Sequence, residues 1–147
     1  MAFKGQAENT VDSKGRIAIP AKMRNAMNPE AKQTVVLTRG FEKTVFVYPL
    51  DEWEEIEAQI AQLNRFQRDA RNFSRQLLRW AEEQTLDSQG RVSLTKELMA
   101  FAGIETSEKA LIIGNFDHLE IWNKDVFEQT LNEEPGSYET LAETVMG

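Results

Sequence analysis

Apolar and polar positions along the chain follow one short pattern, stated twice. The stretches Arg16–Ile19 and Arg91–Leu94 alternate polar and apolar residues with the period of two that short strands require. A helical run follows each. In the first, Pro20 stands where a first turn begins, Ala21 to Met27 continue it, and Asn28-Pro29 stops it. In the second, Thr95 is placed to cap Lys96 to Ala102, and Gly103 ends the run. Two further β runs complete each half, 34–39 with 44–48 and 109–113 with 118–122. The pattern predicts β-β-α-β-β in each half, a unit too small to bury much core alone.

Between the halves the period changes to that of helices. Trp53, Ile56, Ile60 and Leu63 fall on one stripe, and Phe66, Ala70, Phe73, Leu77 and Trp80 on another. The first helix is acidic (Glu52, Glu54, Glu55, Glu57). The second carries Arg65, Arg68, Arg71, Arg75 and Arg79 at spacings of three and four, which makes one basic face. An antiparallel pair is expected, with both stripes buried and opposite charges side by side. Residues 132–147 hold Pro135-Gly136 and four acids without a base, and are expected to form a loose tail.

Aligning Asp12 with Asp87 sets an offset of 75 residues, and the agreement extends well beyond that point. Val11 then pairs with Leu86, Ile17 with Val92, Ile19 with Leu94, and Phe41-Glu42 with Phe116-Asp117. After a one-residue gap, Val47-Tyr48 pairs with Ile121-Trp122. This is an internal duplication. The expected architecture is α+β: a first repeat over 1–48, a helical insert over 49–81 that packs on the repeats and on neighbouring subunits, a second repeat over 82–131 and an acidic, flexible tail over 132–147. The two repeats together are expected to close one barrel.

The chain has 147 residues and no cysteine, which removes disulfides and thiolate chemistry and fits a reducing compartment. No apolar run is long enough for a membrane span, and the N-terminus lacks the apolar stretch of a secretion signal, so a cytoplasmic protein is expected. The net charge of −7 argues against generic nucleic-acid binding. The charges are segregated, however. Residues 1–48 carry four more bases than acids, and residues 82–147 ten more acids than bases. A local basic footprint can coexist with the acidic total.

The most distinctive feature is a repeated phrase, VDSKGRI at 11–17 and LDSQGRV at 86–92. Asp at the first position of a turn can bond its carboxylate to the backbone N–H two residues on. Gly15 and Gly90 supply the left-handed conformation that closes a turn with a bulge. Arg16 and Arg91 then stand at the mouth of the next strand, where each can pair with its own aspartate. One reading makes Asp12–Arg16 and Asp87–Arg91 simple turn locks. The other makes them an anion-facing surface, with the aspartate holding the turn and aiming the arginine. The first copy adds Lys14 within the turn and Lys22 and Arg24 on the following helix, where the second has Gln89, Glu97 and Met99. This contrast points to a basic first copy and a chiefly structural second one.

Two Asp-x-x-x-Arg phrases in a duplicated β-rich chain of this length, with Gly-Arg-Ile-x-Ile-Pro in the first and the Phe41/Phe116 agreement, resemble the MraZ family. Its repeats are of the AbrB/SpoVT swapped-hairpin class, and the resemblance covers nearly the whole chain. It implies a regulator that binds double-stranded DNA at short direct repeats upstream of the bacterial division and cell-wall gene cluster. It implies a nucleoid-associated, ring-shaped homo-oligomer, an octamer or larger, in which each protomer's repeats form a pseudo-twofold barrel. The DNA contacts it implies fall on the two turns, with Arg16 and Arg91 as the arginines. Arg16 is the best candidate for reading guanine through a bidentate contact, and Lys14, Lys22 and Arg24 suit phosphates. Asp12, Gly15, Asp87 and Gly90 support the turns.

Other readings compete with this one. The Arg65–Arg79 face is a competing DNA footprint, though pairing with the acidic helix or a neighbouring subunit accounts for it better. An enzyme is not indicated: the single histidine, His118, reads as a turn residue, and no phosphate loop, nucleophile elbow or zinc-binding helix motif occurs. No metal, cofactor or small-molecule ligand is called for. An AbrB-like, antitoxin-type interaction module remains the alternative, weakened by two intact repeats and a short tail.

Overall fold

The structure, a computed structural model, describes residues 2–147. In chain order it comprises β1 (Gln6–Thr10), β2 (Arg16–Ala18), α1 (Ala21–Asn25), a 3-10 turn (Pro29–Ala31), β3 (Thr34–Arg39), β4 (Val45–Pro49), α2 (Leu50–Ala61) and α3 (Arg68–Leu78). The second half continues with β5 (Glu82–Thr85), β6 (Arg91–Ser93), α4 (Lys96–Ala102), β7 (Lys109–Asn115), β8 (His118–Trp122), α5 (Lys124–Glu133) and α6 (Tyr138–Met146). The fold is α+β.

Six strands form one antiparallel sheet in the order β1-β7-β8-β4-β3-β5, and β2 pairs with β6 in a separate ribbon. Exchanging the repeats (β1 for β5, β3 for β7, β4 for β8) leaves that order unchanged. Each repeat's opening strand therefore pairs in the other's territory or on its edge: β1 lies on β7 of the second repeat, and β5 on β3 of the first. Two pairs of equivalent residues face each other across the pseudo-twofold axis, Ile17 with Val92 in the ribbon and Phe46 with Glu120 in the sheet.

The sheet is open, with β1 and β5 as its edges, and this departs from the closed barrel expected of the duplication. The reason is local. The tight turns after β1 and β5 lead the chain out of the sheet, and the three-residue strands that follow spend their hydrogen bonds on each other. The ribbon, α1 and α4 pack on one face of the sheet, where Ile17, Leu37, Val45, Val47, Val92, Leu98, Ile112 and Ile121 are almost wholly buried. Thr95 Oγ1 accepts from Leu98 N (3.2 Å) and Gly103 adopts a left-handed conformation, so both ends of α4 are capped as its sequence predicts.

Helices α2 and α3 behave differently from their expected pairing. Each packs on the other face of the sheet, where Trp53 and Leu77 join Val36, Phe46 and Tyr48 in a second small core. Ile56 and Ile60 pack against that core and Trp80 against the first, but Phe66 stays 95% exposed and Phe73 43%. Leu77 points α3 at the sheet, and the arginines, half a turn away, face solvent. Among the described residues no ion pair joins them to the acids of α2. The tail is helical over Tyr138–Met146, with Ser137 Oγ accepting from Thr140 N at 3.2 Å, and no residue of that helix is buried. No helix among the described residues is long and apolar enough to cross a membrane.

Candidate nucleic-acid interface

The two copies of the repeated phrase fold into the same turn, bond for bond. In the first, Asp12 Oδ1 accepts from the backbone N–H of Lys14 (2.9 Å) and of Arg16 (2.8 Å), and Oδ2 accepts from Arg16 Nε (2.7 Å). In the second, Asp87 Oδ1 accepts from Gln89 and Arg91 (both 2.9 Å), and Oδ2 from Arg91 Nε (2.7 Å). Gly15 N and Gly90 N donate back to the carbonyls of Asp12 and Asp87 at 3.0 and 2.8 Å, with φ of 81° and 73° that only glycine adopts without strain. Backbone donation from Arg16, with its side-chain bond and charge, holds the Asp12 carboxyl down at about 2. Asp87 is lowered by the same arrangement, led by the backbone of Arg91.

Each arginine is thus gripped by its own aspartate through Nε alone. Its two terminal amino groups are left aligned at the end of a fixed guanidinium, the geometry that meets a pair of acceptors. The ribbon brings the two turns together. Leu94 N donates to Gly15 O (2.8 Å) and Ile19 N to Gly90 O (2.9 Å), so each turn is tied to the strand leaving the other. Arg16 lies opposite Ser93 and Arg91 opposite Ala18. Arg91 Nη1 comes within 3.6 Å of Asp12 Oδ2, which places the Asp12 carboxylate between both guanidinium groups. The side chains of Arg16 and Arg91 stay 33% and 23% exposed.

The remaining cations are distributed differently from their sequence order. Lys14 is exposed in the first turn, and Lys22 is exposed on α1. Arg24, also on α1, lies across Gly90 of the second turn: a Cβ there would fall 2.5 Å from Arg24 Nη1 and 2.7 Å from Cζ. At Gly15 the corresponding neighbour is Met99 Sδ, at 3.4 Å. The ribbon crosses the two copies, so the helix of one repeat serves the turn of the other. The basic cluster assigned from sequence to the first turn is divided between both, and the second turn is as well furnished with cations as the first.

His118 carries more than its turn position suggests. It opens β8, is 9% exposed, and lies against the rings of Phe46 and Tyr48 (centroids 4.4 and 5.0 Å). Nδ1 meets Asp117 Oδ1 at 2.7 Å and Nε2 meets Glu120 Oε2 at 3.1 Å; Glu120 also accepts from Trp122 Nε1 (2.8 Å) and Asn115 Nδ2 (3.1 Å). Burial opposes the charged imidazole, but its bonds to Glu120 and Asp117 outweigh burial and raise its pKa. This cluster shares the sheet face of α2 and α3, opposite the ribbon, and supports the fold rather than the turns. Only the spacing His118-x-Glu120-x-Trp122 on one strand face hinted at it. No group of three or more potential metal ligands gathers among the described residues.

Comparison with known proteins agrees with the duplication. A family model described as "MraZ protein, putative antitoxin-like" matches twice, over residues 2–76 and 77–146. The chain is 39% identical over 141 residues to a protein of Lactobacillus delbrueckii subsp. bulgaricus, covering 96% of this chain and 94% of that one. It is 37% identical over 144 residues to one of Natranaerobius thermophilus (98% and 96%), and 41% over 139 residues to one of a Thermoanaerobacter species (95% and 93%). All three are named transcriptional regulator MraZ. With both repeats matched and the relatives spanned almost end to end, the chain belongs to the MraZ family.

Proposed function

We propose that the protein is a sequence-specific DNA-binding transcriptional regulator that reads DNA through the β2–β6 ribbon. One observation carries this reading: two Asp-x-x-x-Arg turns, 75 residues apart in sequence, meet on one surface with each arginine fixed through Nε by its own aspartate. Arg16 and Arg91 suit acceptor pairs on base edges, guanine O6 and N7 above all, a contact worth roughly 1–3 kcal/mol of discrimination. Lys14, Lys22 and Arg24 suit phosphates and would carry the salt dependence. The names of the relatives support a regulator.

A single protomer offers few cations, two of them partly offset by Asp12 and Asp87. Repetition of the interface in a ring-shaped homo-oligomer would raise affinity through effective concentration, provided the DNA presents boxes at the subunit spacing. The uncovered apolar residues Leu63, Phe66 and Phe73 of the helical insert, with Phe41 of the β3–β4 turn, suit subunit contact. The target in this reading is a set of short direct repeats upstream of the division and cell-wall gene cluster. A gel-shift titration of wild type and Arg16→Ala on the promoter region upstream of the gene itself, with light scattering for assembly size, tests it. Binding by wild type and loss in a mutant of unchanged size is the expected result. Equal binding by both, or binding by neither, would reduce the turns to structural locks.

A further inference from the structure

We infer that Arg24 makes the second turn the phosphate-anchoring end of the interface, and so gives each protomer a fixed polarity on DNA. The inference rests on the DNA-binding reading above and adds to it which half of a nearly symmetric surface does what. The bond pattern of the two turns is the same, so the turns themselves cannot tell one direction along DNA from the other. What differs is the side chain laid across each turn's glycine. Arg24 covers Gly90, with its guanidinium carbon 2.7 Å from where a Cβ would stand, and Met99 covers Gly15. Glycine is required at position 90 for its φ of 73° and also for this space.

The Arg24 guanidinium is also uncommitted. It joins no ion pair among the described residues, and its buried Nε finds no protein acceptor. Arg91, beside it on the second turn, is the arginine that leans on both Asp87 and Asp12, whereas Arg16 engages Asp12 alone. The two halves therefore differ in kind. The second combines a doubly restrained arginine with a free guanidinium in the Arg24 position. The first combines Arg16 with the exposed Lys14 and an apolar thioether. A planar, forked cation held at a glycine turn fits a phosphate's oxygens, as a thioether cannot. The second end is therefore the anchor and the first is the reader. A polar reader repeated around a ring favours boxes arranged head to tail over inverted ones.

The test uses the full-length protein on a duplex carrying one box, so that avidity does not mask a single contact. Arg24→Met, which copies the residue at the equivalent place, is expected to weaken binding by about tenfold and to flatten the salt dependence by about one phosphate contact. In double-mutant cycles the loss should be coupled to Arg91→Ala and additive with Arg16→Ala. The exchange Arg24→Met with Met99→Arg should recover affinity, and Arg16→Ala should then couple to Met99→Arg instead. Arg24→Lys, which keeps charge without the fork, should recover only part. Circular-dichroism melts confirm that each variant is folded. Wild-type binding with no effect of Arg24→Met, or with coupling to Arg16 rather than Arg91, overturns the inference and leaves the DNA reading standing. No binding by wild type sinks both.

Discussion

Replacing Ile17 with alanine tests whether the ribbon is part of the cooperative core or only an appendage that carries the turns. Ile17 is 0% exposed and faces Val92, 1% exposed, across the pseudo-twofold axis. The substitution removes three buried carbons, about 2.4 kcal/mol at ~0.8 kcal/mol each. A cavity penalty is added because a core closed on both sides by β-structure relaxes only in part, so a total near 3.5 kcal/mol is expected. For a chain of this size that corresponds to a melting point lower by roughly 7–14 °C. Urea unfolding followed by tryptophan fluorescence and far-UV circular dichroism measures the loss. Both probes should report one transition, since Trp53, Trp80 and Trp122 lie outside the ribbon and would miss a merely local event. Ile17→Val, with one carbon removed, should cost about 1 kcal/mol. A loss below 1 kcal/mol for Ile17→Ala, with coincident transitions, would refute the claim that sheet and ribbon share one core.

Three further outcomes are expected. Thr95→Ala removes the side-chain cap of α4 and should destabilise the protein by about 1 kcal/mol in the same urea assay. His118 has a raised pKa in the folded state, so its contribution is complete below pH 6.5 and is lost as pH rises through the folded value. Stability measured from pH 6 to pH 9 should therefore fall, and His118→Gln should flatten the decline. Gly90→Ala forces a side chain into a left-handed residue at a cost of about 1–2 kcal/mol and displaces the Arg24 guanidinium. Its DNA affinity should drop more than its melting temperature alone explains, as gel shift and thermal melt together would reveal.

Much of this was legible in the sequence because it is local. The Asp-to-amide bonds, the left-handed glycines and the cap at Thr95 each involve residues within four positions of one another. The duplication was legible because the 75-residue offset aligns apolar positions as well as the motif. What the sequence did not disclose depends on long-range pairing. Arg24 stands eight residues after Arg16 yet lies on Gly90, because strand exchange sends α1 to the far side of the ribbon. The two insert helices carry apolar stripes in the right phase, but phase alone does not say whether the partner is another helix or a sheet face. Tyr138–Met146 was hidden by the preceding Pro-Gly and by its acids, although Tyr138, Leu141 and Val145 repeat at helical spacing.

Strand exchange also sets the order in which a newly made chain can finish folding. Gln6 hydrogen-bonds in register with Ile113, so β1 emerges from the ribosome more than a hundred residues before its partner. At about 5–20 residues per second, that strand waits roughly five to twenty seconds. The β3–β4 hairpin can form meanwhile and β5 can join it, but β4 keeps a bare edge until β8 arrives. The N-terminal strand is therefore among the last to be ordered. A chain released early, before Asn115, is left with two unpaired strand edges, which marks it for aggregation or proteolysis rather than for a half-competent product.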